Sequence, residues 1–194
     1  MRATTEEFER IDLRAHSLLA GAPLHDVWVV DLPGGGPGRT VEDVRNLMSV
    51  TNLADTNVAV KFLFGLRSSL GRIFGWDREH PLASRESYIN RLSAADREGS
   101  LVTPGSSDGP FQTLLVSPHE SISEIRNATV HAFSVLALVE RPSGYRLYWA
   151  IYVRPVGRLT GWYMWLIDPF RRLIIYPAVL RRIRAGWSAP SRSH

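Results

Sequence analysis

The second half of the chain constrains the fold most, because four apolar, aromatic-rich segments lead there into a long segment with helical spacing. The four segments are rich in Val, Ile, Thr, Tyr, Phe and Trp, which favour strands, and span residues 111–117, 120–126, 129–140 and 145–154. From residue 158 to 187 the apolar residues recur at helical spacing. This order predicts an α+β fold in which a curved antiparallel sheet wraps around a long C-terminal helix.

Side-chain alternation predicts how two of these strands are buried. Along residues 145–154, Tyr145 and Trp149 fall on one face and Arg146 on the other, which predicts a half-buried strand with Trp149 directed at the core or a cavity. Residues 129–139 are apolar at successive positions, as expected for a central strand covered on both sides. A tight hairpin turn is predicted between these strands, over residues 141–144.

The first half begins with a predicted strand over residues 25–32, which ends at the Gly- and Pro-rich residues 33–38. Thr40 then has the position of a helix N-cap, and Asp43 stands three residues later as in a capping box. Apolar residues at steps of three and four predict a second helix over residues 57–74. We therefore expect two shorter helices after the first strand.

The remaining segments carry weaker patterns. Residues 87–92 are predicted as a short strand and residues 103–110 as a loop. No linker divides the chain, so we expect a single domain over residues 1–194, with an N-terminal extension over 1–23 and a disordered tail over 188–194.

Composition excludes several classes of protein. Cysteine is absent, which excludes disulfides and thiolate metal sites, and the six histidines are too scattered to predict a metal site. The net charge is +4, but all but one of the 23 basic residues are Arg and most are interspersed with acids, so we expect no nucleic-acid partner. The N-terminus has no apolar run and predicts no secretory signal, hence a cytoplasmic location. No cofactor is predicted.

The C-terminal segment has the length of a membrane span but the wrong composition. Asp168, Arg171 and Arg172 lie in the middle of residues 159–180, and each would cost about 2.5–3.5 kcal/mol at a bilayer centre. We therefore predict a broken amphipathic helix that packs on the sheet, and no transmembrane segment.

Five short segments resemble a bacterial family of domains of unknown function. They are FGWD at residues 74–77, EIRNATVHAF at 124–133, GYRLYWA at 144–150, DPFRR at 168–172 and LRRI at 180–183. Members of that family stand alone or follow an NAD(P)-binding domain similar to short-chain dehydrogenases. The family in turn is similar to the START, polyketide-cyclase and pollen-allergen (SRPBCC) superfamily with the helix-grip fold. The resemblance extends over about residues 24–187.

This resemblance implies an apolar cavity between a curved antiparallel sheet and the C-terminal helix. The superfamily includes lipid and hormone binders, transfer proteins, cyclases and dehydratases, and no catalytic residue is carried over from it. No dinucleotide-binding domain is expected from this sequence, so any redox partner is expected to act in trans.

Three functional hypotheses follow. The first is that an apolar or amphipathic small molecule, or a lipid, binds in the cavity against Trp149, His131, Tyr145 and Trp165. The second is a cyclase, dehydratase or isomerase that transfers protons with His131, helped by Glu124 or Arg126 on the neighbouring strand. A buried histidine with an ordinary cross-strand ion pair would explain the same residues.

The third hypothesis is contact with a membrane surface through the C-terminal segment. Aromatic residues there alternate with cations, which suits an anionic lipid surface. The residues concerned are Trp162, Tyr163, Trp165 and Trp187, with Arg171, Arg172, Arg181, Arg182 and Arg184. A helix that buries its aromatic residues against the sheet would have the same composition.

Overall fold

The centre of the molecule is a curved, six-stranded sheet that is antiparallel throughout. The computed structural model describes residues 2–48, 86–126, 130–155, 168–169 and 171–187. The strands lie in the order β1-β6-β5-β4-β3-β2. Their bounds are β1 Leu24–Pro33, β2 Ser107–Asp108, β3 Phe111–Val116, β4 Glu120–Arg126, β5 Val130–Arg141 and β6 Gly144–Pro155.

Short helices precede β3, and a longer helix follows the sheet. The helices are α1 Thr5–Glu9, α2 Arg14–Leu18, α3 Val41–Met48, a 3₁₀ turn at Tyr88–Arg91, α4 Ala94–Glu98, a π-helical turn at Arg171–Ile175 and α5 Tyr176–Trp187. The predicted helix over residues 57–74 lies outside the described residues, as do residues 158–167 of the C-terminal segment. The α+β class is confirmed.

The strand predictions for the second half are confirmed to within one residue at each end. The predicted hairpin joins β5 to β6, and its turn ends at Gly144. Gly144 has a φ of 137°, and a Cβ there would lie 2.4 Å from the carbonyl oxygen of Leu32. Only glycine therefore allows β1 to pass this close to the turn.

The half-buried state predicted for β6 is wrong, because both faces of the strand are covered. Trp149 faces the C-terminal helix as expected, whereas Tyr148 and Ala150 on the other face are equally inaccessible. We name the two sides by what covers them. The helix face packs against α3 and α5, and the N-terminal face packs against α1, α2 and the 3₁₀ turn.

Two further predictions need correction. Residues 87–92 form a 3₁₀ turn instead of a strand, because the Ser87 hydroxyl accepts the N–H of Ile89 at 3.1 Å and holds the backbone in a turn. The predicted loop over residues 103–110 contains β2, which pairs with the start of β3. In contrast, half of the predicted capping box is present, since the Thr40 N–H donates to Asp43 Oδ2 at 2.9 Å.

Candidate functional site

The three residues predicted to transfer protons are brought together by neighbouring strands. The β4–β5 register pairs Arg126 with His131, and Glu124 lies two residues earlier on the same face. His131 Nε2 lies 3.1 Å from Glu124 Oε2, and Arg126 Nε lies 3.4 Å from Glu124 Oε1. All three are therefore within reach of a shared proton or charge.

This cluster is closed on the N-terminal face. The Ser87 hydroxyl and the Tyr88 N–H both donate to the Glu124 carboxylate. The Tyr88 ring stands edge-on over His131, with centroids 5.4 Å apart. Burial alone would raise the pKa of Glu124, but hydrogen bonds from His131, Ser87 and the backbone lower it below its usual value. The carboxylate is thus ionised and engaged, and it ties the 3₁₀ turn to the sheet.

The four residues predicted to bind a ligand do not lie in one place. Trp149 and Tyr145 are on the helix face, whereas His131 is on the N-terminal face with Phe133 and Tyr88. Trp165 lies outside the described residues. Of the predicted ligand-binding residues that the structure describes, Trp149 and Tyr145 therefore share the helix face, and His131 belongs to a different cluster.

Aromatic side chains line the helix face where α5 crosses the sheet. Tyr176, the first residue of α5, stands edge-on to Trp149 and tilted against Trp28, with both centroid distances 4.8 Å. The indole N–H of Trp149 donates to Ser134 Oγ at 2.9 Å. Three large rings thus meet between β1, β6 and the start of the C-terminal helix.

The far end of α5 is closed by Trp187. Its ring packs edge-on against Tyr145, with centroids 5.3 Å apart, and Arg39 lies over it at 5.0 Å. Trp187 is 1 % exposed, so it cannot take part in the membrane contact predicted for the C-terminal aromatic residues. Tyr145 is held in place by a hydrogen bond from its hydroxyl to the Gly36 carbonyl at 3.0 Å.

Next to the three rings, three buried polar groups have no hydrogen-bond partner in the part of the chain that the structure describes. Two are on β1, the carboxylate of Asp26, neither oxygen of which accepts a hydrogen bond, and the indole N–H of Trp28. The third is the Nε–H of Arg172, which lies 3.8 Å from Asp26 Oδ2. Asp26 pairs with Ile151 and Trp28 with Trp149 across the β1–β6 ladder, so both point to the helix face. Leaving such groups unsatisfied costs about 1–3 kcal/mol each, and a native fold carries few of them.

The carboxyl of Asp26 is also electrostatically unusual. Burial raises the pKa of Asp26 above its ordinary value, although nearby positive groups, Arg171 foremost, oppose the shift. Arg172 places its Nε 3.8 Å from Asp26 Oδ2, which is an ion pair without a hydrogen bond.

A network of charges surrounds Asp26 at the start of the C-terminal helix. Asp168 is its centre, with His25 Nε2 at 2.8 Å, Arg171 Nη1 at 3.1 Å and Arg172 Nη2 at 3.2 Å. Arg171 also donates to the Tyr176 hydroxyl. The turn that carries both arginines is π-helical, a local widening that is frequent at functional sites.

Exposure does not distinguish the two faces of the central strand β6. On the helix face Trp149 and Ile151 are each 8 % exposed, and on the N-terminal face Tyr152 is 7 %, Tyr148 1 % and Ala150 0 % exposed. The rings beside the two unsatisfied polar groups are therefore buried, and Trp28 is 9 % exposed.

The residues of this site were missed at the level of sequence because each lies in an ordinary context. Asp26 is one acid in the predicted strand HDVWVVDL, and Tyr176 is one aromatic residue in an amphipathic segment. One signal was present: alternation puts Asp26 and Trp28 on the same face of that strand, and an acid on an apolar strand face is uncommon.

Neither a metal-binding cluster nor a membrane-spanning helix occurs in the described residues. No three His, Asp or Glu side chains within the described ranges are arranged to hold a metal ion. No helix in those ranges has the length and apolar character needed to cross a membrane.

Comparison with known proteins places the chain in a family but leaves its function open. No curated protein and no solved structure matches it. The profile of a family described as "Protein of unknown function (DUF2867)" matches residues 18–178, which include β1, the strands of the sheet and the start of α5. Since this match covers most of the chain, the protein belongs to the DUF2867 family of proteins of unknown function.

Proposed function

We propose that the protein binds a small apolar or amphipathic molecule between the helix face of the sheet and the C-terminal helix, in a helix-grip arrangement. The observation that carries this proposal is the pair of buried, unsatisfied groups, the Asp26 carboxylate and the Trp28 indole N–H. A ligand that supplies their missing hydrogen bonds would remove an energetic penalty that the protein alone does not remove.

The surroundings of these two groups suit an apolar molecule. Trp28, Trp149 and Tyr176 pack their rings against one another beside the two groups. Small-molecule sites are mostly apolar and aromatic, with a few placed polar groups that fix orientation. The helix face has this composition around Asp26 and Trp28.

Native mass spectrometry of the purified protein tests the proposal. We expect an adduct of small-molecule mass that organic extraction removes, and less of it in Asp26→Leu than in the native protein. Asp31→Leu is the matched control, because Asp31 is on the same strand but exposed on the opposite face, where it pairs with Arg146 at 2.6 Å. The proposal fails if no adduct is seen and if hydrophobic probes also leave the melting temperature unchanged.

A proton-transfer enzyme of the cyclase, dehydratase or isomerase type is the second candidate. It is supported by the 3.1 Å contact between His131 and Glu124 and by His131 Nδ1, which has no partner among the described residues. A catalytic imidazole must open to its substrate, so diethyl pyrocarbonate should modify His131 in the folded protein. Modification of the exposed His119 without His131 would rule this candidate out.

A further inference from the structure

The unsatisfied groups of Asp26 and Trp28 lie on the same face of one strand. Asp26 and Trp28 stand two residues apart on β1, which separates their backbones by roughly 7 Å and directs both side chains to the helix face. When ionised, the Asp26 carboxylate only accepts hydrogen bonds, whereas the Trp28 indole N–H only donates one. A ligand group that satisfies both must therefore accept and donate.

Groups of both signs already surround Asp26 within the described residues. Asp26 and Asp168 contribute two carboxylates, and Arg171 and Arg172 contribute two guanidinium groups that pair with them. An added anion would face the buried Asp26 carboxylate, and an added ammonium group would face Arg172. Transferring a charged head group into a buried site without a net partner is costly, so a neutral head group is favoured.

We propose that Asp26 and Trp28 form the head-group subsite for a neutral amphipathic molecule that carries a hydroxyl or carboxamide group. Its polar group accepts the indole N–H of Trp28 and donates to the Asp26 carboxylate, and its apolar body lies against Trp149 and Tyr176. This inference rests on the proposed function, since it specifies the ligand of the same site.

Calorimetric titration with four probes of similar length separates the head-group classes. The probes are 1-decanol, nonyl methyl ether, decanoate and decylammonium, used at mildly alkaline pH so that Asp26 is ionised. The ether has the same heavy atoms as the alcohol and keeps the acceptor but lacks the donor. We expect the alcohol to bind about 10-fold more tightly than the ether, as one hydrogen bond to a charged group implies. Both charged probes should bind more weakly than the alcohol.

Variants assign this preference to the two side chains. Asp26→Leu should bring the affinities of alcohol and ether together, and Asp26→Asn should retain part of the preference because its carbonyl still accepts. Trp28→Phe should weaken the alcohol and the ether alike. Trp149→Phe is the matched control, since it removes an indole N–H that Ser134 already accepts.

Each result bears on one of the two claims. Equal affinity of the alcohol and the ether in the native protein would overturn the subsite and leave the proposed function intact, as would tighter binding of decanoate or decylammonium. Failure of all four probes to bind at their solubility limits would contradict the proposed function itself.

Discussion

At the scale of single residues, the site is built from a carboxylate that the fold does not satisfy. Binding sites commonly carry such groups at the expense of stability, because a side chain arranged for a ligand is poorly arranged for the empty protein. Asp26 has this character, since it is buried, lacks a hydrogen bond from any described residue and lies 3.8 Å from Arg172 Nε.

Asp26→Asn is therefore expected to stabilise the ligand-free protein by about 1–3 kcal/mol at neutral pH, because a neutral amide costs less to bury than an ionised carboxylate. The pKa of Asp26 is raised in the folded state, so the folded protein binds this proton more readily than the unfolded chain does. The stability contributed by Asp26 therefore falls as pH rises through its folded pKa. Conversely, the extra stability of the Asn variant should shrink as pH is lowered towards 3.8, the ordinary pKa of the group. Urea denaturation of the native protein and the variant, both freed of ligand by organic extraction, measures this difference in the free energy of unfolding across the pH range.

The control for this prediction is Asp31→Asn on the same strand. Arg146 lowers the pKa of Asp31, so its small contribution to stability has the opposite sign and should be about 1 kcal/mol or less for such an exposed pair. Equal or lower stability of Asp26→Asn at neutral pH would show that the carboxylate is satisfied in solution.

Glu124 is the opposite case, a buried carboxylate with every partner in place. Glu124→Gln should destabilise the protein by about 2–4 kcal/mol, because it removes the charge that His131, Ser87 and the Tyr88 N–H all face. The pKa of Glu124 is lowered, so its stabilisation is complete above the ordinary value of 4.5 and is lost as pH falls through the folded pKa. Acid denaturation of the native protein and the variant tests this, and parallel pH profiles for the two would contradict it.

The proximity of Glu124 and His131 was predicted from the sequence, but their position on the face of the sheet opposite Trp149 was not. Carrying the hairpin register from Gly144 along β5 and β6 pairs Trp149 with Leu136 and His131 with Arg154. Leu136 and His131 are five residues apart, an odd number, so they face opposite sides of the strand. The sequence therefore contained the information that separates His131 from Trp149, but it could be used only once the turn was placed.

At the scale of elements, a residue of strand β4 caps the N-terminus of helix α2, which has no capping side chain of its own. The N-cap of α2 is Leu13, which has no polar side chain, and the Glu120 carboxylate of β4 accepts the N–H groups of Arg14 and Ala15, each at 2.9 Å. Helix N-termini need such acceptors, but those of α1 and α4 come from Thr4 and Ser93 within the same segment. Local sequence patterns find the local caps and cannot find this one.

Glu120→Ala should therefore cost about 1–3 kcal/mol and accelerate hydrogen exchange at the amides of Arg14 and Ala15. Thr4→Ala is the matched control, because it removes a cap that acts only within α1. Unchanged exchange at Arg14 and Ala15 in Glu120→Ala would show that α2 does not depend on β4.

The 3₁₀ turn also shows that local sequence patterns miss contacts between distant residues. Its residues have strand-like composition, but the turn is set by the Ser87 hydroxyl and by the Glu124 carboxylate of β4. The second contact joins residues far apart in the chain, so propensity alone predicts the wrong element.

At the scale of the whole molecule, the two faces of the sheet have different roles. The N-terminal face is closed by α1, α2 and the 3₁₀ turn, and most of its central side chains are inaccessible. The helix face carries the unsatisfied groups of Asp26 and Trp28, and the N-terminal face carries His131 Nδ1. We infer that a ligand can bind at the helix face without disturbing the packing of the N-terminal face.

Phe8→Ala tests this division. Phe8 is 0 % exposed and packs against His16 and Tyr148 on the N-terminal face, with ring centroids at 5.3 and 6.3 Å. Its truncation should lower the free energy of unfolding by about 3–5 kcal/mol, as for other buried phenylalanines, with Phe8→Leu losing less. Since Phe8 and Trp149 are on opposite faces of the sheet, the affinity for 1-decanol should stay within a factor of about two while the variant remains folded. Chemical denaturation and calorimetric titration of the same samples measure both quantities, and a fall in affinity that follows the fall in stability would show that the two faces are coupled.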